Sequence, residues 1–274
     1  MTNIINGTPG SELIEGTPGD DQINGNGGDD TLKGFAGNDQ INGGSGFDEI
    51  FGGDGDDQLN SNGGNDIIQG GAGNNQINGG SGNEALSTFG ESGDNEINGN
   101  GGNDALNGGN GDDLINGGSQ VDQIEGDDGD DVLNGNGGGD QIQGFGGNDT
   151  LTGSSGNDSL YGGNVDDFSS ANSNDGDDII YGNGGDDFVF SGDGLDQVYL
   201  GTGAARVLLT TGDGFDTIYN FDLSQANFVL GPGLDFGSLD FSDTSQGVEI
   251  VGNGDLLAVL VGVQASQIDN PDFF

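Results

Sequence analysis

Aspartate returns at one fixed place in a nine-residue period through most of the chain. Reading alternate repeats separates these residues into two columns. One holds Asp21, Asp39, Asp57, Asp113, Asp131, Asp149, Asp167 and Asp187. The other holds Asp30, Asp48, Asp66, Asp104, Asp122, Asp140, Asp158, Asp178, Asp196 and Asp216. Glycine stands two residues earlier in nearly every unit. Carboxylates beside glycine turns, whose carbonyls are open to approach, are oxygen ligands for a hard cation. Ca2+ accepts about six to eight such oxygens in flexible geometry, whereas Mg2+ keeps its waters and prefers a strict octahedron. Zinc and copper are disfavoured because the chain has neither Cys nor His.

Composition removes several other functions. The 48 acidic residues face only Lys33 and Arg206, for a net charge of −46. Phosphates would repel such a chain, so nucleic acid is a poor partner. Without Cys or His there is no disulfide, no Cys/His zinc site and no catalysis by an imidazole or thiol. No apolar run reaches the length of a membrane-spanning helix. The start, Met1 to Gly7, lacks the basic and apolar regions of an N-terminal signal peptide. Abundant charge and 63 glycines alone would suggest disorder. The order of the residues argues otherwise.

The elements that must position the aspartates follow from the aliphatic residues. Ile5, Ile14, Ile23 and Leu32 open a series that runs to Ile218, with Ser169 in one slot and a few eleven-residue steps, making 24 units. A nine-residue period does not fit a packed helix, and glycine at this density weakens one. A short strand followed by a glycine turn fits, with the aliphatic residue inward and its neighbours outward. Outward residues match only in alternate units. Asn6, Asn24, Asn42, Asn60, Asn78, Asn98, Asn116 and Asn134 form one set; Tyr161, Tyr181, Tyr199 and Tyr219 form another. Gln22, Gln40, Gln58 and Gln76 accompany the asparagines. Like side chains therefore stack across rungs, as amide and aromatic ladders do in stacked parallel sheets. The fold expected is an all-β, two-sided parallel solenoid with two units per coil, about twelve coils in all. One aliphatic residue per half-coil is a thin core, and stacked acidic turns repel one another. The turns therefore require a cation.

The repeat resembles the nonapeptide Gly-Gly-x-Gly-x-Asp-x-aliphatic-x of the RTX (repeats-in-toxin, hemolysin-type) calcium-binding proteins. The resemblance covers about residues 3–219, and 18 of 24 units keep the aspartate. It implies a right-handed parallel β-roll in which each Ca2+ lies between two turns stacked on one edge. The aspartates named above and the glycine-turn carbonyls would be its ligands. Neighbouring aspartates in one column then define about fourteen well-formed calcium sites. Asn3, Asn75, Asn95 and Ala205 lack the carboxylate, Glu12 and Glu84 are longer, and Gln120 and Val165 replace the turn glycine before Asp122 and Asp167. In pairs such as Asp20-Asp21 and Asp112-Asp113, one acid is expected to be the ligand and the other a solvated neighbour.

Composition changes near residue 219, which divides the chain into a roll, 1–219, and a β-rich C-terminal cap, 220–274. Val248 to Val251 and Leu256 to Val261 flank Gly252-Asn253-Gly254-Asp255, a hairpin signal. The outward aromatics Phe188, Phe190, Tyr199 and Tyr219 are expected to seat this cap. Asp272-Phe273-Phe274 resembles the acidic-then-aromatic end of an uncleaved type I secretion signal. These features point to a secreted, extracellular calcium-binding structural protein that is not an enzyme: a matrix, surface-layer or filament component. The alternative is a calcium-dependent secretion and folding module of a larger toxin, adhesin or exoenzyme. Repeats beginning within the first residues favour the former. Expected partners are calcium ions, the type I secretion machinery and, through an open N-terminal strand edge, further copies end to end. The stretch near residues 75–97 is expected to be a calcium-poor seam. On that reading, amides around Ile77 and Ile97 exchange faster at limiting calcium than those around Leu133 and Ile142.

Overall fold

The structure is a computed structural model that describes residues 2–88, 92–156, 158–163, 168–173, 179–183, 187–192, 194–200, 202–210, 214–222 and 224–268. Twenty-four strands between Asn3 and Tyr219 correspond one to one with the repeats read from the sequence. Tertiary contacts group the chain into two compact units, residues 1–141 and 142–274.

In the first unit the strands alternate between two parallel sheets. One sheet contains Asn3–Asn6, Asp21–Gly27, Gln40–Ser45, Gln58–Gly63, Gln76–Ser81, Glu96–Gly101, Leu114–Ser119 and Val132–Gly137, each paired with the next. The other contains Leu13–Glu15, Thr31–Ala36, Glu49–Asp54, Ile67–Ala72, Ala85–Ser87, Ala105–Asn110 and Gln123–Asp128. Register follows the 18-residue repeat: Ile23 pairs with Ile41, and Ile41 with Leu59. It survives the longer step, where Ile77 pairs with Ile97 and Leu86 with Leu106. The extra residues therefore leave the rungs undisturbed. The inward aliphatics from Ile23 to Leu133 are almost entirely buried. Outside, the asparagines form hydrogen-bonded steps: Asn24 Nδ2 donates to Asn6 Oδ1 at 2.9 Å and Asn116 to Asn98 at 3.0 Å.

The second unit repeats the pattern and then closes it. Thr150–Ser155, Phe168–Ser173, Phe188–Gly192, Arg206–Leu209 and Asn227–Leu230 form one parallel array. Ser159–Gly163, Ile179–Asn183, Gln197–Tyr199 and Asp216–Tyr219 form the other. Its last strand pairs in parallel with Asp255–Val261, which continues antiparallel through Gly247–Gly252 to Leu239–Asp243. The expected hairpin turns at Asn253 and Gly254, with φ of 55° and 96°, the left-handed pair that a two-residue turn requires. The four tyrosines stack with ring centroids 4.8, 4.8 and 4.5 Å apart, the rung spacing itself. Arg206 lies over the Phe188 ring. The cap strand Asp255–Val261 pairs with the strand that carries Tyr219. The cap's Val248, Ile250, Leu257 and Leu260 join a buried cluster with Val207, Leu209 and Ile218. The cap is seated on the inward column because that column is where apolar area remains to be covered. The tail Asp272-Phe273-Phe274 lies outside the described residues.

Each inward residue meets the like residue one coil away, so a deletion there leaves a void between two rungs. Ile115→Ala should lower the stability of the calcium-loaded protein by about 2–5 kcal/mol in denaturant titration. Val132→Thr, at an outward position, should change it by less than about 0.5 kcal/mol.

Candidate metal centre

The turn before each aspartate is built from three backbone requirements. In Gly25-Asn26-Gly27-Gly28-Asp29-Asp30, Asn26 and Gly28 have φ of 78° and 101°. The same two places are left-handed in turn after turn, which accounts for the second and third glycines of the repeat. Gln120 adopts φ of 82° in place of glycine, and Asp122 behind it keeps its buried position. Such a φ costs a side-chain-bearing residue about 1–2 kcal/mol. The first glycine, five before the aspartate, serves another purpose. A Cβ on Gly16 would lie 2.6 Å from Asp21 Oδ2 and 2.8 Å from the Gly34 carbonyl oxygen one coil later. Gly25, Gly34, Gly52, Gly99, Gly108, Gly117 and Gly144 bring the same two kinds of oxygen together.

Each aspartate uses its two oxygens differently. Oδ1 accepts the backbone N–H of the equivalent residue one coil earlier. Asp21 donates to Asp39 at 2.8 Å, Asp30 to Asp48 at 2.9 Å and Asp104 to Asp122 at 2.9 Å. The residue just before the aspartate forms a second ladder of opposite direction. Asp130 N–H donates to Asp112 Oδ1 and Asp112 N–H to Asp94 Oδ1, both at 3.0 Å. The first acid of each pair is thus exposed yet structural. It is more than the solvated neighbour expected, because its acceptor oxygen ties successive coils.

Oδ2 is the chemically open atom. Among the described residues, Asp30, Asp39, Asp48, Asp57, Asp66, Asp104, Asp113 and Asp122 have a buried Oδ2 with no hydrogen-bond partner. A buried, unpaired carboxylate oxygen is costly. Burial pushes the Asp48 carboxyl up to about 6, with neighbouring carboxylates adding to the effect. It pushes Asp57, Asp113 and Asp122 up to about 7, against the lowering effect of the N–H bonds to Oδ1. A cation beside Oδ2 and the glycine carbonyl would remove this penalty, so the donor set fits Ca2+. No three acidic side chains converge among the described residues. The carbonyls must therefore supply much of the coordination.

The predicted ligands divide accordingly. Asp131, Asp140, Asp149, Asp158, Asp187 and Asp196 are buried in the same setting. In Asp21, Oδ2 accepts from the Thr17 N–H and hydroxyl, so its carboxylate is already partnered. Asp216 is held by Ser191 and Asp196, and its burial raises its pKa. Asp167 and Asp178, with Val165, lie outside the described residues. Two groups set aside as departures do reach the site. Glu12 Oε2 would lie 2.6 Å from a Cβ on Gly7, beside the Gly25 carbonyl, but accepts the Thr8 N–H at 2.7 Å, as Asp21 does from Thr17; Glu84 occupies the Gly79 position with its oxygens unpartnered. The extra methylene is absorbed without displacing the strand, as Glu84 N–H still donates to Asp104 Oδ1 at 2.9 Å.

The family model for the RTX calcium-binding nonapeptide repeat (4 copies) matches residues 6–34, 33–68, 61–87, 89–124, 108–142, 143–169 and 172–206. The chain belongs to this family. No curated protein matches it. RTX repeats bind Ca2+, and the paired Asp Oδ2 and glycine carbonyl oxygens are a donor set that would fit such an ion.

Two predictions follow from the crowding of oxygens. Gly117→Ala places a methyl group between Asp122 Oδ2 and the Gly135 carbonyl. It should remove about one bound calcium ion while leaving both ladders in place, as counted by metal analysis after dialysis. The second concerns pH. The carboxyls of Asp48, Asp57, Asp113 and Asp122 titrate above their usual value near 4, so at these groups the metal-free fold binds more protons than the unfolded chain. Its stability is fully present below about pH 4 and is lost as pH rises through about 6–7. In excess chelator, far-UV circular dichroism should therefore show more β structure at pH 4.5 than at pH 8. In calcium, lowering the pH through the same window should weaken binding, since protons and calcium compete for Oδ2.

Proposed function

We propose that this chain is a secreted structural protein whose β-roll forms as Ca2+ fills its glycine turns, and that it serves as an extracellular-matrix, surface-layer or filament component rather than as an enzyme. The observation that carries this reading is the row of buried Oδ2 atoms without protein partners, repeated from coil to coil. A fold that buries carboxylates next to carbonyls, in a chain of net charge −46, needs an external cation. About fourteen sites would bring the net charge to about −18. Because the binding energy is folding energy, calcium concentration sets the folded fraction.

The same dependence supports export by type I secretion machinery. Extracellular-type calcium sites have affinities of about 10⁻⁴–10⁻³ M. They stay empty where calcium is scarce, leaving an extended chain able to enter a narrow channel, and fill outside. The absence of imidazole and thiol groups, with the aspartates engaged in turns, supports a non-catalytic role. As a folding module of a larger exoprotein, the chain would behave identically in vitro. The mass of the native protein recovered from culture medium separates the two.

Circular dichroism at pH 8 tests the calcium reading. Excess chelator should abolish most of the β signal, and millimolar calcium should restore it in one cooperative transition. An undiminished β signal in chelator would contradict the proposal.

A further inference from the structure

On one edge of the roll, two successive turns carry Asn75 and Asn95 between Asp57 and Asp113. Both asparagines keep the rung contact of an aspartate. Asn75 Oδ1 accepts the Asp57 N–H at 3.0 Å, and Asn95 Oδ1 accepts the Asn75 N–H at 2.9 Å. That fixes the orientation of each amide, because a flipped amide would set a donor against a donor. The nitrogen must then stand where Oδ2 stands elsewhere.

There the Asn75 nitrogen meets carbonyls of its own turn, and the Asn95 nitrogen reaches the first-glycine carbonyl of the next coil, the oxygen that other turns set against Oδ2. Asn75 Nδ2 donates to the Gly71 and Gly73 carbonyls at 3.0 and 3.2 Å. Asn95 Nδ2 is shared among the Gly93 carbonyl at 2.9 Å, the Gly108 carbonyl at 3.2 Å, Asp113 Oδ1 at 2.9 Å and Thr88 Oγ1 at 3.2 Å. Thr88 occupies the place of the first turn glycine, and its hydroxyl donates to the Gly108 carbonyl. A Cβ on Gly70 would meet the Thr88 γ-methyl at 2.7 Å and Asn75 Nδ2 at 3.0 Å. One coil earlier, the Gly52 position holds Asp57 Oδ2 and a carbonyl oxygen instead. All three side chains are buried. The space is filled, and the Gly108 carbonyl already has donors.

We infer that Asn75, Thr88 and Asn95 form a built-in plug that takes the place of calcium at two successive turns on this edge. It divides the column into two arrays that load separately, and its rungs are held by neutral hydrogen bonds that need no ion. Asp66, Glu84 and Asp104 remain on the opposite edge of these coils, so the plug is one-sided. This inference rests on the calcium reading above and reverses one expectation drawn from the sequence. Lacking a carboxylate does not make this seam weak, because the amide nitrogen replaces both the missing charge and the ion.

Hydrogen exchange of the whole chain across a calcium titration tests it, together with metal analysis at saturation. At limiting calcium, amides around Ile77 and Ile97 should exchange about tenfold more slowly than those around Leu133. In Asn75→Asp/Thr88→Gly/Asn95→Asp, which also clears the first-glycine place, about two more calcium ions should bind at saturation, and that early protection should be lost. The plug is overturned if the wild-type seam is protected last, or if the triple variant binds no additional calcium and keeps its early protection. Should the variant fail to fold, the order of protection in the wild type decides alone. A wild type that binds no calcium would overturn the calcium reading and the plug together. Calcium binding with a late seam would overturn the plug only.

Discussion

The structure depends on one juxtaposition: a buried carboxylate oxygen set against a backbone carbonyl oxygen of the next coil. Two acceptors facing each other across a turn repel, and nothing among the described residues relieves this at Asp30, Asp39, Asp104 or Asp122. The thin aliphatic columns do not offset such a cost at every turn. On the proposed reading, calcium would convert the same contact from a penalty into a bond, and the stability of the fold would follow the surrounding calcium.

Every glycine of the repeat has a separate reason within this arrangement. The first leaves room for two oxygens where a Cβ would stand, and the next two take left-handed φ. Substitutions that the chain tolerates show the difference. Phe35 and Phe145 are accepted at a left-handed place, because the cost there is conformational and the side chain points to solvent. Thr88 at the first-glycine place comes with an asparagine in place of the aspartate, because a side chain and an ion do not share that space. The two aspartate-linked ladders run in opposite directions through each edge, so the turns remain in register before any ion is considered.

Much of this was legible in the sequence. Period two in the strand and period eighteen between like residues were enough to place Ile23 on Ile41 and Tyr161 on Tyr181, because identical side chains stack only in register. The hairpin at Asn253-Gly254 was legible because its turn type demands those residues. The ladder through Asp94, Asp112 and Asp130 was not, since a charged surface residue gives no sign of which backbone N–H it meets. Nor could the sequence show that Glu12 reaches the place of an aspartate, or that Thr17 satisfies Asp21. Asn75 and Asn95 read as weakened ligands until the direction of their amide donors was known, because one heavy-atom identity separates an ion site from its replacement.

A crystal structure grown in calcium, with anomalous scattering used to locate the ions, tests the central claim most directly. The account predicts calcium beside Oδ2 of Asp30, Asp39, Asp104 and Asp122, in contact with glycine carbonyls of the following coil. Turns in which those oxygens are instead paired with protein donors or water, with calcium bound only at exposed acids such as Asp20 and Asp112, would contradict it.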